Sequence, residues 1–113
     1  MVYKHIVMWK FKEQHNGKSA LENARWMKEQ LEALVGVVPE LLSAEVGISP
    51  ALEQAAAAPA PAASGEYDAC LVSTFASPEA LAAYKVHPKH KAISAYCKEA
   101  RVKRLAFDWW SEE

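Results

Sequence analysis

The fold is decided near the amino end, where residues 2–11 read VYKHIVMWKF. One side of this segment carries a histidine and three bulky apolar side chains: His5, Val7, Trp9 and Phe11. The other side carries Ile6 and Met8 between two lysines. A period of two, with aromatic and β-branched residues, predicts a β-strand. Because both sides are apolar, we expect neither face of this strand to be left in water.

A helix is predicted directly after this strand. Residues 15–18, HNGK, interrupt the alternation, and Ser19 followed by Glu22 is the pattern of a capping box. Apolar residues then recur at helical spacing to about Val35. They are Leu21, Ala24, Met27, Leu31, Leu34 and Val35. Gly36 supplies the left-handed conformation that ends the helix.

Three more strands and a second, interrupted helix complete the pattern. Ser77 followed by Pro78 starts this helix, and the proline after His87 interrupts it. The alternating segments that predict the strands are residues 41–48, 66–75 and 102–110. Between the second and third strands, residues 50–64 consist largely of Ala and Pro. We predict a mobile loop there, inside a single domain of residues 1–113.

The order β-α-β-β-α-β predicts an α+β, ferredoxin-like fold with a four-stranded antiparallel sheet and its helices on one face. Strands one, three and four are apolar on both sides. Helices cover one face only, so the other face would expose a larger apolar patch than a soluble monomer normally tolerates. We therefore predict a homodimer joined through the sheet faces.

The charge and composition of the chain exclude some classes of binding partner. Thirteen Lys and Arg balance fourteen Asp and Glu, for a net charge of −1, whereas nucleic-acid surfaces need a clustered excess of cations. No apolar stretch is long enough to span a membrane, and no signal peptide precedes the first strand. We expect a cytoplasmic protein that binds neither nucleic acid nor membrane, with Cys70 and Cys97 reduced. Four cations near the carboxyl end are expected to form a solvated edge: Lys98, Arg101, Lys103 and Arg104.

The histidines are the first candidates for chemistry, because imidazole titrates near neutral pH. His87 and His90 flank Pro88, and three interpretations of this corner are open. His87 could cap the helix that Pro88 begins, the two imidazoles could bind a metal, or one imidazole could act as a base in a pocket beside Tyr84. In the third, the Tyr84 hydroxyl would stabilise charge on a carbonyl oxygen. His5 is either a half-buried strand residue or part of the pocket rim.

Five short segments of the sequence together resemble a known domain family. They are Lys4-His5-Ile6-Val7, Val38-Pro39, Glu45-Val46-Gly47, Tyr67-Asp68 and Tyr84-Lys85-Val86-His87-Pro88-Lys89-His90, of which the last is the most specific. Together they resemble the stress-responsive dimeric α+β barrel (Dabb) domain over nearly the whole chain, apart from residues 50–64. The resemblance implies a homodimeric ferredoxin-like barrel.

The resemblance also implies roles for individual residues. Many Dabb proteins are small, are associated with stress and have no assigned activity, but one branch contains the plant polyketide cyclase that forms olivetolic acid by a cofactor-free aldol cyclisation. By similarity to that branch, His90 would be the general base, Tyr84 its partner and His5 a further residue of the pocket. The substrate-binding residues would be Val7, Trp9, Met27, Leu31 and His87.

Two details of the resemblance concern a metal and the size of the ligand. Plant members suggest a magnesium ion held by main-chain carbonyls after the first helix, which fall at Val35, Val38 and Leu41 here. Trp9 departs from the cyclase, which has a smaller aliphatic residue at that position. We therefore expect a small apolar or carbonyl-containing ligand and no cofactor beyond this magnesium.

Two other functions stay open beside acid–base catalysis. One is a non-catalytic stress or small-molecule-binding protein, in which His87-Pro88 is only a structural corner. A packed core around His90, with no cavity reaching it, would favour that reading. The other is a cofactor-independent monooxygenase of the related dimeric-barrel type.

Overall fold

The computed structural model describes residues 1–57 and 65–113. The elements follow in chain order: β1 (Val2–Phe11), β2 (Gln14–His15), β3 (Lys18–Ser19), α1 (Ala20–Glu32), β4 (Ser43–Ile48), α2 (Pro50–Ala57), β5 (Ala69–Phe75), α3 (Pro78–Val86), α4 (Pro88–Ala100) and β6 (Arg101–Ser111). Four strands form one sheet in the order β4-β5-β1-β6, with every neighbouring pair antiparallel. This is a ferredoxin-like α+β fold, so the predicted fold class is confirmed. Within the described residues, no helix is both long and apolar enough to cross a membrane.

The helices pack on one side of the sheet, which we call the covered face. Four residues of β1 point into this layer and are buried: His5, Val7, Trp9 and Phe11. They belong to a core that includes Met27 from α1, Phe75 from β5 and Ile93 from α4. The alternation of β1 therefore directs its histidine, together with its largest apolar side chains, into the core.

The other side of the sheet, which we call the open face, has no helix over it in the described part of the chain. Residues paired across antiparallel strands share a face, and Ile6 pairs with Val72 on β5 and with Phe107 on β6. Met8 pairs in the same way with Leu105. Phe107 is 65% exposed and Leu105 is 51% exposed. The two-sided apolar pattern in the sequence thus produces an uncovered apolar strip.

The helix start signals are confirmed. The Ser19 hydroxyl accepts the Glu22 N–H, and the Glu22 carboxylate accepts the Ser19 N–H, which completes the capping box of α1. Ser77 caps α3 through the N–H of Ala80. His87 caps α4 by accepting the Lys89 N–H at Nδ1, over 3.2 Å. Local hydrogen bonding sets these boundaries, so they can be read from short segments.

Two element boundaries near α1 differ from the prediction. The helix ends at Glu32 instead of Val35, because Leu34 and Val35 donate to the carbonyls three residues earlier and tighten the chain into turns. At the amino end of α1, the short strands β2 and β3 form a hairpin that the sequence analysis did not predict. Asn16 and Gly17 have φ values of 56° and 74°, which is the left-handed geometry of a two-residue Asn-Gly turn.

The predicted loop over residues 50–64 is wrong for its first half. Pro50–Ala57 forms helix α2, and Leu52 anchors this helix in the core with only 6% of its surface exposed. The Ser49 hydroxyl accepts the Ala51 N–H at the start of the helix. Alanine has the strongest helix propensity, so one buried leucine and one cap are sufficient here. The remaining part of the predicted loop, residues 58–64, lies outside the described residues.

Candidate active site

A cavity of about 300 Å³ lies between the covered face and α4. Its apolar wall comes from the sheet, α1 and α4: Val7, Trp9, Leu31, Leu71, Ile93 and Cys97. The volume is at the lower end of the range for small-molecule sites. Trp9 is only 6% exposed, so its indole forms a fixed part of the wall and limits the space for a ligand.

His5 lies on the cavity wall and is held by a carboxylate. β1 and β6 pair His5 directly with Asp108, and the His5 Nδ1 atom is 2.5 Å from the Asp108 Oδ1 atom. His5 is 3% exposed. An ionised carboxylate only accepts hydrogen bonds, so Nδ1 carries the hydrogen and the neutral ring keeps its lone pair on Nε2.

His90 lies on the same wall and is held by a main-chain carbonyl. It sits in the first turn of α4, and its Nδ1 atom is 3.1 Å from the carbonyl oxygen of Lys85 in α3. A carbonyl also only accepts, so His90 has the same tautomer as His5, with the lone pair on Nε2. The corner between α3 and α4 thus turns this imidazole back over the end of α3.

Burial keeps both imidazoles in the neutral form that can accept a proton. The loss of solvation lowers the pKa of His5, against the opposing effect of the Asp108 carboxylate. Burial also lowers the pKa of His90, and the positive charges of Arg104 and Lys85 add to this effect while the hydrogen bond to the Lys85 carbonyl opposes it. A neutral imidazole with a free Nε2 has the protonation state required of a general base.

Tyr84 contacts His90 but does not form part of the cavity wall. The ring centroids of Tyr84 and His90 are 4.3 Å apart, and the Tyr84 ring also packs on Phe75 at 5.1 Å. Tyr84 is 1% exposed, and its hydroxyl has no hydrogen-bond partner among the described residues. Burial raises the pKa of this phenol well above its usual range, so Tyr84 stays protonated beneath His90.

The structure brings some of the predicted binding residues to the cavity but not others. Val7, Trp9 and Leu31 line it. Met27 is completely buried in the core, and His87 caps α4 instead of facing the cavity. The structural interpretation of the His-Pro corner therefore applies to His87, which caps the helix, whereas His90 reaches the cavity and its acid–base role stays a prediction.

Two features of the cavity wall could not be predicted from the sequence. Asp108 gave no local signal, because its partner His5 is 103 positions away in the chain. Of the cations expected on a solvated edge, three lie on the cavity wall together with Lys85: Lys98, Arg101 and Arg104. The positions of Asp108 and of the two arginines follow from the pairing of β6 with β1, which is not a property of a short segment.

The segment after α1 gives little support to the predicted magnesium site. The Val38 carbonyl already accepts the Leu41 N–H over 3.1 Å, and Val38 also forms an isolated bridge with Val35. Among the described residues, no group of three His, Cys, Asp or Glu side chains is arranged to hold a metal ion. Magnesium binding at this segment stays a prediction.

Comparison with solved structures shows the same fold in proteins of low sequence identity. A dimeric protein of unknown function with a ferredoxin-like fold from Bacteroides fragilis NCTC 9343 has a TM-score of 0.77 and 24% identity, covering 97% of this chain and 96% of that chain. Hydroxynitrile lyase from Passiflora edulis has a TM-score of 0.71 and 18% identity, with 99% and 95% covered. A mutant of SnoaB, a cofactor-independent oxygenase from Streptomyces nogalater, has a TM-score of 0.68 and 4% identity, with 99% and 94% covered.

Comparison with curated protein sequences finds no significant match. Comparison with family models, in contrast, matches residues 3–111 to the Dabb family, described as the Stress Responsive A/B Barrel Domain. The match includes both strands that hold the His5–Asp108 pair and the corner that holds His90. Because it spans nearly the entire sequence, the chain belongs to the Dabb, or stress responsive A/B barrel, domain family.

Proposed function

We propose that this Dabb domain binds a small carbonyl-containing molecule in its cavity and removes a proton from the carbon next to the carbonyl group. One observation carries the proposal. Two imidazoles, His5 and His90, line a single cavity, and both commit Nδ1 to a fixed acceptor while Nε2 keeps its lone pair. Such an arrangement places a base beside the apolar wall of a small-molecule cavity, where it could remove a proton next to a carbonyl group.

We assign the proton transfer to His90, because it is less deeply buried than His5 and so more accessible to a ligand. The C–H bond breaks, an N–H bond forms at the His90 Nε2 atom, and the electron pair moves onto the carbonyl oxygen to give an enolate. The imidazolium then returns a proton to the carbon of the enolate, which restores the neutral His90. His5, oriented by Asp108, keeps its Nε2 atom as a second hydrogen-bond acceptor on the same wall.

The test is solvent deuterium exchange into the benzylic position of phenylacetone, followed by proton NMR. Wild-type protein should accelerate the exchange above the buffer rate. His90→Gln should reduce the protein-dependent rate by about 10²- to 10⁴-fold, the usual contribution of a general base. His15→Gln is the matched control, since the His15 ring packs on Tyr96 outside the cavity. Equal rates for His90→Gln and wild type would refute the assignment.

Ligand binding without turnover is a second candidate, and the position of Tyr84 favours it. Its hydroxyl is sealed away from the cavity, so it is not placed to stabilise charge on a bound oxygen. Chemical-shift changes on addition of phenylacetone, without any deuterium exchange, would support this function. The oxygenase alternative rests on the fold alone, because the SnoaB neighbour is only 4% identical.

We also propose that the protein is a cytoplasmic homodimer joined through the open face. The exposed apolar side chains of β6, Leu105 and Phe107, support this assembly, because an apolar strip of this kind is typically covered by another molecule. The ferredoxin-like neighbour from Bacteroides fragilis is described as dimeric. A two-fold axis would bring the same strip of two copies together and leave the cavity, on the covered face, free to bind a ligand.

A further inference from the structure

Four cationic side chains line the cavity: Lys85, Lys98, Arg101 and Arg104. Within residues 1–57 and 65–113, none of their charged groups has an ion pair or hydrogen bond. The acid that attracts Arg104, Asp108, already has its carboxylate bonded to His5. Lys103, on the other side of β6, is in contrast paired with Glu66. Because His5 is neutral, Asp108 keeps its negative charge and attracts Arg104, so the four cations on the side of the cavity are only partly compensated.

A β-bulge places both arginines on that side. β6 pairs Arg104 with Trp9 and Arg101 with Phe11, and Val102 is the extra residue between them. In a regular strand, side chains three positions apart point to opposite faces. The bulge therefore brings Arg101 to the covered face beside Arg104, and bulges next to functional sites often redirect a side chain in this way.

Two arginines on one cavity wall repel each other. The pairing places both guanidinium groups on the same side of β6, and partial burial and the charge of Arg101 lower the pKa of Arg104 against the opposing effect of Asp108. An anion between them would remove the repulsion. The planar guanidinium is suited to a carboxylate, which it binds through two parallel hydrogen bonds.

The rest of the wall restricts what kind of anion can enter. Trp9, Leu71 and Ile93 are apolar and would not favour a small, fully hydrated ion. We propose that the cavity binds a small carboxylate with an apolar body, its carboxylate at Arg101 and Arg104 and its body against Trp9 and His90. This inference rests on the proposed function, because it names the ligand class for the same cavity. The substrate is then a carboxylic acid that also carries a carbonyl group.

The test compares two probes of the same shape, 3-phenylpropionate and its neutral amide, by calorimetric titration of the wild-type protein at low ionic strength. We expect the carboxylate to bind at least about tenfold more tightly than the amide, in the range of a single charge-assisted contact. Arg104→Gln should remove most of this difference, because it weakens the binding of the carboxylate more than that of the amide. Arg104→Lys should retain part of it, because the charge remains while the two parallel hydrogen bonds are lost.

Lys103→Gln is the matched control, since it removes the same charge from the next residue, on the opposite side of β6. It should change the affinity for the carboxylate less than about twofold, because Lys103 is not on the cavity wall and its charge is already paired with Glu66. Equal binding of the two probes to wild type would overturn the inference, as would an equal loss in Lys103→Gln and Arg104→Gln. Stronger competition by inorganic phosphate than by chloride at matched ionic strength would identify a phosphate site and overturn the carboxylate assignment.

Together, the binding and the deuterium-exchange experiments distinguish a failure of this inference from a failure of the proposed function. If the carboxylate binds through Arg104 but phenylacetone shows no deuterium exchange, the ligand class stands and the chemistry fails. If exchange occurs and the amide binds as well as the carboxylate, the chemistry stands and the ligand class fails.

Discussion

The two faces of the sheet carry similar apolar side chains, but those of the covered face are buried and those of the open face are exposed. On the covered face, Val7 and Phe75 are 2% and 0% exposed, whereas on the open face Leu105 and Phe107 are 51% and 65% exposed. The two imidazoles of the cavity also lie on the covered side of the sheet. The comparison shows that hydrophobicity alone does not assign a face its role. In our proposal, the covered face combines apolar walls with polar groups for chemistry, and the open face provides an apolar surface for association.

The largest predicted effect is on the open face. Phe107→Glu would place two carboxylates, one from each copy, within a two-fold interface, where an unpaired charge loses its solvation. We expect the dimer dissociation constant to rise about a thousandfold, equivalent to about 4 kcal/mol. Sedimentation equilibrium at micromolar concentration measures this change as a fall in mass from a dimer to the 12.5 kDa chain.

The control is Val86→Glu, which changes another apolar side chain of nearly equal exposure. Val86 is 67% exposed on α3, away from the sheet, so the charge should leave the dimer intact. A dimer in both variants would show that copies do not join through the open face. A wild-type protein that is monomeric at micromolar concentration would contradict the homodimer itself.

The difference between the two faces can largely be predicted from the sequence, because the alternation of side chains along a strand is a local property. Ile6 and Val7 are adjacent and must point to opposite sides, whatever the rest of the chain does. The same holds for the caps at Ser19 and Ser77, where a side chain bonds to an N–H three residues away. Helix α2 could not be predicted in this way, because its stability depends on burial of Leu52 in a core contributed by distant residues.

The candidate site was only partly predictable for the same reason. His90 and His5 are distinctive residues in short motifs, so the sequence identified them. The Asp108 partner of His5 depends on the register between β1 and β6. The cationic wall depends on a bulge in that register, which moved Arg101 to the covered face. A shift of one position in strand pairing changes the face of a side chain, and nothing in a short segment fixes it.

The next prediction uses pH to distinguish the faces. Burial holds the pKa of His5 and of His90 below the ordinary value of 6.5. Between 6.5 and the lowered native pKa, the unfolded chain therefore binds more protons than the folded chain. The free energy of unfolding is at its full value above pH 6.5 and falls as the pH is lowered through that window. We expect a loss between pH 7.5 and 5.5 that does not exceed about 1.4 kcal/mol per histidine, the limit set by the unfolded pKa of 6.5.

Urea denaturation at pH 7.5, 6.5 and 5.5 measures this loss. His90→Gln should make the dependence shallower, because the variant lacks one of the two buried imidazoles. The dimer dissociation constant should change little over the same range, since the open-face residues Ile6, Leu105 and Phe107 do not titrate. An undiminished pH dependence in the His90→Gln variant would contradict the assignment to this histidine.

The smallest predicted effect compares one hydroxyl on each face. Ser73 is fully buried on the covered face and donates to the main-chain carbonyl of His5 over 3.0 Å. Ser43 is exposed on the open face, where its hydroxyl is 2.5 Å from that of Thr74. Both hydrogen bonds are short-range contacts between strands, so they differ mainly in their access to water.

Ser73→Ala should lower the free energy of unfolding by about 1 kcal/mol, whereas Ser43→Ala should lower it by less than about 0.5 kcal/mol, because water replaces the lost partner on the open face. The measurement is urea denaturation of each variant in the Phe107→Glu background, so that association does not hide the difference. Equal losses for the two serines would mean that burial under the helices, which distinguishes the cavity side of this sheet, does not strengthen its hydrogen bonds.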